Sequence, residues 1–175
     1  MIEHERTYLL RSVPPGIQEC ESTYLKDIYI PPEEEHPHLR LRQRGDNYQI
    51  TKKSPLSSGV SVQKEETIGL SKEEYEALTK AGGKVVTKRR YVYSSENPGI
   101  LIEVDEFLED LSGLILVDFE FDNLEEMERF QPPEYCLSEV TDQDFLAGGI
   151  LAGKSYSEIA DRLETFGYSP LKLYE

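Results

Sequence analysis

Acidic residues recur at every second position in three short stretches of this chain: Glu3 and Glu5, Glu103 and Asp105, Asp118 and Glu120. Basic residues do the same at Arg40 and Arg42 and at Lys88 and Arg90. In a β-strand, residues two apart point to one face. Each stretch would therefore aim a pair of like charges in one direction, while Ile102, Val104, Val117, Phe119 and Phe121 pack the other way. Carboxylates are hard oxygen donors suited to Mg2+ or Mn2+. Arginine binds phosphate oxygens as a bidentate fork, and lysine binds them as a mobile point charge. Strands of both kinds with apolar opposite faces describe a barrel with a charged interior, built to hold cations and a polyanion.

The elements that must position these residues are mostly strands. Residues 1–10, 21–30, 38–44, 48–53, 60–70, 85–94, 100–107 and 114–121 each read as a strand, with turns at Pro14-Pro15-Gly16, Gly45-Asp46-Asn47, Ser54 to Gly59 and Asn97-Pro98-Gly99. Ser71 with Glu74 three residues on is a capping box, and Gly82-Gly83 ends the helix that it starts. A short helix at 123–130 stops at Pro132-Pro133. The rest is predicted helical from Thr141, interrupted at Gly148-Gly149, then capped again by Ser155 with Glu158 and ended by Gly167. This predicts a mainly β (α+β) fold: an eight-stranded antiparallel barrel with peripheral helices and a helical C-terminal part. No repeat or linker divides the chain, so residues 1–175 form a single domain, barrel to about 122 and helical beyond it.

Composition narrows the function classes. A net charge of −15 lacks the basic clustering of a nucleic-acid surface. The longest aliphatic run is about four residues, at 114–117, against the ~20 that span a bilayer. The N-terminal stretch is charged and has no apolar core of a signal peptide, and Cys20 and Cys136 show no metal or redox spacing. A cytoplasmic protein with reduced thiols and no nucleic-acid or membrane partner is expected. Ser, Cys and His show no nucleophile spacing, and no Lys-Ser/Thr follows Gly148-Gly149 as a phosphate loop requires. His4, His36 and His38 are read as surface or packing residues, because a hard metal does not ask for imidazole.

Taken in chain order, Glu3-x-Glu5, Arg40-x-Arg42, Thr51-Lys52-Lys53, Glu65, Lys88-x-Arg90, Glu103-x-Asp105 and Asp118-x-Glu120 resemble the CYTH superfamily, the triphosphate tunnel metalloenzymes. That group holds bacterial inorganic triphosphatases, thiamine triphosphatase and the class IV adenylyl cyclases. The resemblance runs from residue 2 to about residue 160 and includes Glu139-Val140-Thr141-Asp142 in the tail. One Glu-x-Glu occurs often by chance; the whole set in order does not. The resemblance implies a barrel with a tunnel through it. It implies that Glu3, Glu5, Asp118 and Glu120 bind divalent metal, with Glu65, Glu103 and Asp105 contributing from neighbouring strands. It implies that Arg40, Arg42, Lys53, Lys88 and Arg90 hold the triphosphate, with Glu3, Glu5, Arg42 and Lys88 central to catalysis, and it leaves room for a homodimer.

Strand parity puts Lys53 rather than Lys52 on the face of Thr51, and points Arg6 outward. Two positions depart from the family pattern: Thr7 and Gln63 stand where basic residues belong. Carboxylates crowded this closely should raise one another's pKa unless a cation is bound. The leading expectation is a Mg2+- or Mn2+-dependent phosphohydrolase of inorganic triphosphate, in which a metal-activated water attacks a terminal phosphorus. The alternatives are a cyclase making cyclic AMP and pyrophosphate from ATP, a thiamine triphosphatase, and a tunnel that binds polyphosphate or nucleotide without turning it over.

Overall fold

Period-two alternation carries through to nine strands. The computed structural model describes residues 4–55, 63–93 and 99–173. Its strands are β1 (His4–Leu10), β2 (Ser22–Ile30), β3 (Leu39–Arg44), β4 (Asn47–Pro55), β5 (Gln63–Leu70), β6 (Lys84–Tyr93), β7 (Ile100–Phe107), β8 (Ile115–Phe121) and β9 (Cys136–Glu139). They form one sheet in the order β5-β4-β3-β2-β6-β7-β8-β1-β9, with every neighbour antiparallel. The sheet curls on itself, because Glu65 of β5 and Glu5 of β1 line the same cavity. This is the expected antiparallel, tunnel-like barrel. The ninth strand is an addition within the segment read as helical: β9 pairs with β1 and occupies backbone groups that a bare edge would leave open. The turns expected at 56–59 and 97–98 lie outside the described residues.

Register follows from local chemistry. Arg44 pairs with Asn47, and Gly45 between them takes φ 55, a left-handed conformation that a tight hairpin needs and that glycine adopts without strain. This turn fixes β3 against β4, so Arg40 lies opposite Thr51 and Arg42 opposite Gln49.

Three cores bury the apolar side chains, two on the outward faces of the sheet and one inside the barrel end. On one flank, Ile102, Val104, Val117, Phe119 and Phe121 pack with Tyr8, Leu10 and Tyr91. Helix α2 (Leu124–Arg129) covers this flank, its first turn capped by Asn123, and Phe130 just after it packs its ring, tilted by 45°, with its centroid 4.5 Å from that of Phe119. On the other flank, α1 (Lys72–Thr79) sets Tyr75 against Ile28 and Leu41. Its capping box is intact: Ser71 Oγ accepts from the Glu74 N–H at 3.1 Å, and Glu74 Oε2 accepts from the Ser71 N–H at 2.7 Å. The third core closes one end of the barrel, where inward-facing Leu9, Val86, Phe107 and Leu116 meet Val140, Leu146 and Leu151 from the tail. No described helix is long and apolar enough to cross a membrane. Cys20 and Cys136 are both free thiols, as expected.

The tail corrects one reading. Gly148-Gly149 does not interrupt a helix but begins α3 (Gly148–Leu151), and only a single 3-10 turn at Asp144–Leu146 precedes it. Close approach is the reason. A Cβ at Gly148 would collide with the Tyr29 hydroxyl, and one at Gly149 would sit 2.7 Å from the Pro37 carbonyl oxygen. Glycine lets the tail seal the barrel end. The last helix, α4 (Tyr156–Glu164), follows its predicted capping box, with Glu158 Oε2 accepting from the Ser155 N–H at 2.7 Å.

Candidate active site

All the expected site residues within the described set line one cavity of about 470 Å³; Glu3 lies outside that set, as does the side chain of Gln63. The strands deliver them by parity. Glu5 comes from β1, Arg40 and Arg42 from β3, Lys53 from β4, Glu65 from β5, Lys88 and Arg90 from β6, Glu103 and Asp105 from β7, and Asp118 and Glu120 from β8. Lys52 and Arg6 do not line the cavity, and Arg6 reaches Glu139 of β9 at 3.6 Å instead.

The bases are held by acids on other strands of the wall. Arg90 pairs in register with Asp105. Its Nε and Nη2 donate to the two Asp105 carboxylate oxygens at 2.7 Å each, and its Nη1 donates to Glu103. Asp118 lies 3.6 Å from the same guanidinium. Lys88 donates to Asp105 from the other side. Burial alone would push the Asp105 carboxyl up, but Arg90 and Lys88 hold it well below the ordinary carboxylate range. A looser group faces them: Arg40 and Lys53 share Glu65 at 3.7 and 3.4 Å. Burial would raise Glu65, and the charges of Lys53 and Arg40 bring it below its ordinary value.

Two observations show that this interior suits additional ions. Arg40, which lines the cavity, keeps a buried Nε with no hydrogen-bond partner among the described residues, so the basic wall is not fully satisfied by its own acids. At the acidic side, Glu5 is directly opposite Glu120 and Glu103 is directly opposite Asp118. Like charges in such register are mutually destabilising. The Asp118 carboxyl is pushed up by burial and then by Asp105, with the Arg90 and Lys88 charges and the Thr7 hydrogen bond pulling it back. Among the described residues lining the cavity, eight carboxylates stand against six Lys and Arg side chains, an excess that a cation would relieve.

Sequence reasoning missed some of this wall. Asp27 of β2 is 2% exposed and forms a two-pronged pair with Arg42, Nε to Oδ1 at 2.7 Å and Nη2 to Oδ2 at 2.6 Å. It belongs to no acid pair, which hid it. The signal available was a lone charge sharing parity with Leu25 and Tyr29, opposite to Ile28 and Ile30. Thr7, noted only for the base it replaces, has a partner of its own: its hydroxyl donates to Asp118 Oδ1 at 2.7 Å. Its backbone N–H donates to Thr141 Oγ1 at 3.1 Å and its carbonyl accepts from the Val140 N–H at 2.8 Å, tying the tail to the cavity.

The CYTH domain matches residues 1–158. The chain belongs to the CYTH domain family. This CYTH protein is 37% identical over 144 residues to the inorganic triphosphatase of Nitrosomonas europaea, a span covering 81% of the chain and 91% of that relative. A solved inorganic triphosphatase superposes with a TM-score of 0.63 at 31% identity, covering 87% of this chain and 95% of its own. A protein from Pyrococcus horikoshii superposes with a TM-score of 0.51 at 18% identity over 98% of this chain and 96% of its own, a likeness of fold alone.

Proposed function

We propose that this CYTH protein is a divalent-metal-dependent phosphohydrolase acting on a small triphosphate, with inorganic triphosphate as its substrate. The observation that carries this is the convergence of Arg40, Arg42, Lys53, Lys88 and Arg90 on one cavity whose opposite wall is carboxylate. Phosphoryl transfer needs positioning and charge neutralisation more than covalent chemistry from the protein. Arg40, through the Nη2 that lies 3.7 Å from Glu65, and Lys53 would take phosphate oxygens in place of Glu65, and Arg42, Lys88 and Arg90 would stabilise charge on the phosphoryl group and the leaving phosphate.

The carboxylates fit a hard cation. Among the described residues no three His, Cys, Asp or Glu side chains form a ready cluster, and Mg2+ commonly uses one or two carboxylates with substrate phosphates and water. The opposed Glu5 and Glu120 would hold it, with Asp118 beside them and Glu3 as the family pattern implies. Mg2+ or Mn2+ bound there would supply an activated water and shield phosphate charge. Asp105, Glu103 and Glu65, for which the resemblance implies metal contact, also serve here as the partners that orient the bases.

The test is phosphate release from tripolyphosphate with Mg2+ or Mn2+, compared with EDTA and with a metal-only blank. Metal-dependent release that falls steeply to a small but measurable residual rate in Glu5→Gln and Arg42→Ala, both still folded, supports the reading. No release above the blank overturns it; tripolyphosphate binding without turnover would then favour a binding protein, and cyclic AMP from ATP would favour a cyclase.

A further inference from the structure

Each arginine at the heart of the basic wall has one buried aspartate directly across from it on the neighbouring strand. Asp105 of β7 faces Arg90, and Asp27 of β2 faces Arg42. The two pairs are built alike: in both, the aspartate takes Nε and Nη2 of the guanidinium with its two oxygens. They differ at the third nitrogen. Arg90 Nη1 donates to Glu103, whereas Arg42, which lines the cavity, uses Nε and Nη2 and has no hydrogen bond from Nη1 among the described residues. The pair also differs from the Arg40–Lys53–Glu65 group, whose separations of 3.4 to 3.7 Å and more exposed carboxylate let a ligand take Glu65's place. Asp27 is 2% exposed and Arg42 8%. A polyanion cannot draw Arg42 away without leaving a buried carboxylate unpaired, which is strongly unfavourable.

We infer that Asp27 is a positioning residue for the reaction: it stays on Arg42 throughout turnover, fixes the plane of the guanidinium, and commits Nη1 to the transferring phosphoryl group. The inference rests on the phosphohydrolase reading and adds to it a residue outside the acid and base pairs. Two consequences separate it from a purely structural role. First, Asp27 neutralises Arg42, so Asp27→Asn leaves a guanidinium with more attraction for triphosphate and less fixed direction. KM should not rise, while kcat falls roughly 10- to 100-fold, the scale of a misplacement of about 1 Å. Second, the effect must pass through Arg42. In an Arg42→Ala background, adding Asp27→Asn should change kcat by less than about twofold. It should also raise the melting temperature there, because it removes a buried carboxylate that has lost its partner.

The experiment is steady-state kinetics on tripolyphosphate with Mn2+ for wild type, Asp27→Asn, Arg42→Ala and the double variant, each at a temperature well below its own melt. If Asp27→Asn does not fold, Asp27→Glu keeps the charge and shifts the carboxylate by one methylene, and the same drop in kcat is expected from it. An active wild type with the kcat of the Asp27 variant within twofold overturns the inference, as does a full additional loss in the double variant. A wild type that releases no phosphate overturns the hydrolase reading and this inference with it.

Discussion

Arg90 is the base on which most of the buried acid depends, and removing it gives the sharpest test of the interior. Its guanidinium bonds both oxygens of Asp105 and one of Glu103 and lies 3.6 Å from Asp118. Asp105 and Glu103 are 2% and 6% exposed, so neither can turn to water when the partner goes. Arg90→Gln keeps much of the side-chain volume and removes the charge. Losing one partner of a buried pair costs roughly 3–5 kcal/mol, a large share of the 5–15 kcal/mol that holds a typical domain folded. For a chain of this size each kcal/mol moves the melting temperature by roughly 2–4 °C, so the variant should melt about 6–20 °C lower. The chain has no tryptophan, so far-UV circular dichroism is the suitable probe of the melt. The decisive arm is Arg90→Gln with Glu103→Gln, which removes the carboxylate that has lost its partner, Asp105 still being held by Lys88, and should regain part of the lost melting temperature. A drop smaller than about 3 °C for Arg90→Gln, or a double variant that melts lower by the full sum of the single effects, would refute the account of Arg90 as the neutralising centre.

Acid lability follows from Asp27, Glu65 and Asp105, whose folded-state values all lie below the ordinary carboxylate range. The stability they contribute is complete above the unfolded value of about 4 and is lost as pH falls through the folded values, so melting temperature should drop steeply between pH 5 and pH 3; a flat profile there contradicts the pairing. Asp118, pushed the other way, works against that slope, because its raised value favours the folded state as protons are taken up. Thr7→Val removes the hydroxyl that donates to Asp118 and should cost about 1.5–3 kcal/mol in urea unfolding, and a cost under about 0.5 kcal/mol would mean that the bond contributes little. Gly149→Ala puts a methyl 2.7 Å from the Pro37 carbonyl oxygen and should cost about 1–3 kcal/mol, read as a lowered thermal melt; unchanged stability would show that the tail does not need that approach.

Parity made most of the cavity wall legible in the sequence. Side chains two apart share a face whatever the sheet order, so pairs such as Asp118 and Glu120 declared their direction without any knowledge of their neighbours. The same rule chose Lys53, which lines the cavity, over Lys52, which does not. Capping boxes were equally local and equally readable. Partnership was not legible, because it depends on which strands lie side by side. The expectation that crowded carboxylates raise one another holds for Asp118 and fails for Asp105, whose strand lies against the basic β6. Asp27 was hidden for the same reason: its meaning comes from lying across from Arg42, fifteen residues away in the chain. Gly148-Gly149 read as a break because close approach to Tyr29 and Pro37 leaves no mark in a linear pattern.

Sheet order explains why the interior is stable enough to fold and still suited to a ligand. From β5 to β6 the wall is basic, with one acid set among the bases on β5 as Glu65 and one on β2 as Asp27. From β7 through β8 to β1 the described charges are all acidic. The seam between β6 and β7 joins the two halves: Arg90 and Asp105 are paired there in register, and Lys88 and Glu103 reach them diagonally, so the four neutralise one another. Away from the seam, charge is less well matched: Arg40 keeps an unpartnered buried nitrogen on the basic side, and Glu5 faces Glu120 on the acidic side. A polyanion alone would neutralise the first region and deepen the negative field at the second, and a cation alone would do the reverse. Only the two together relieve both. The pairing that stabilises the fold is therefore concentrated at the seam and at the Asp27–Arg42 pair, and the like-charged walls on either side are what a phosphate and its metal would complete.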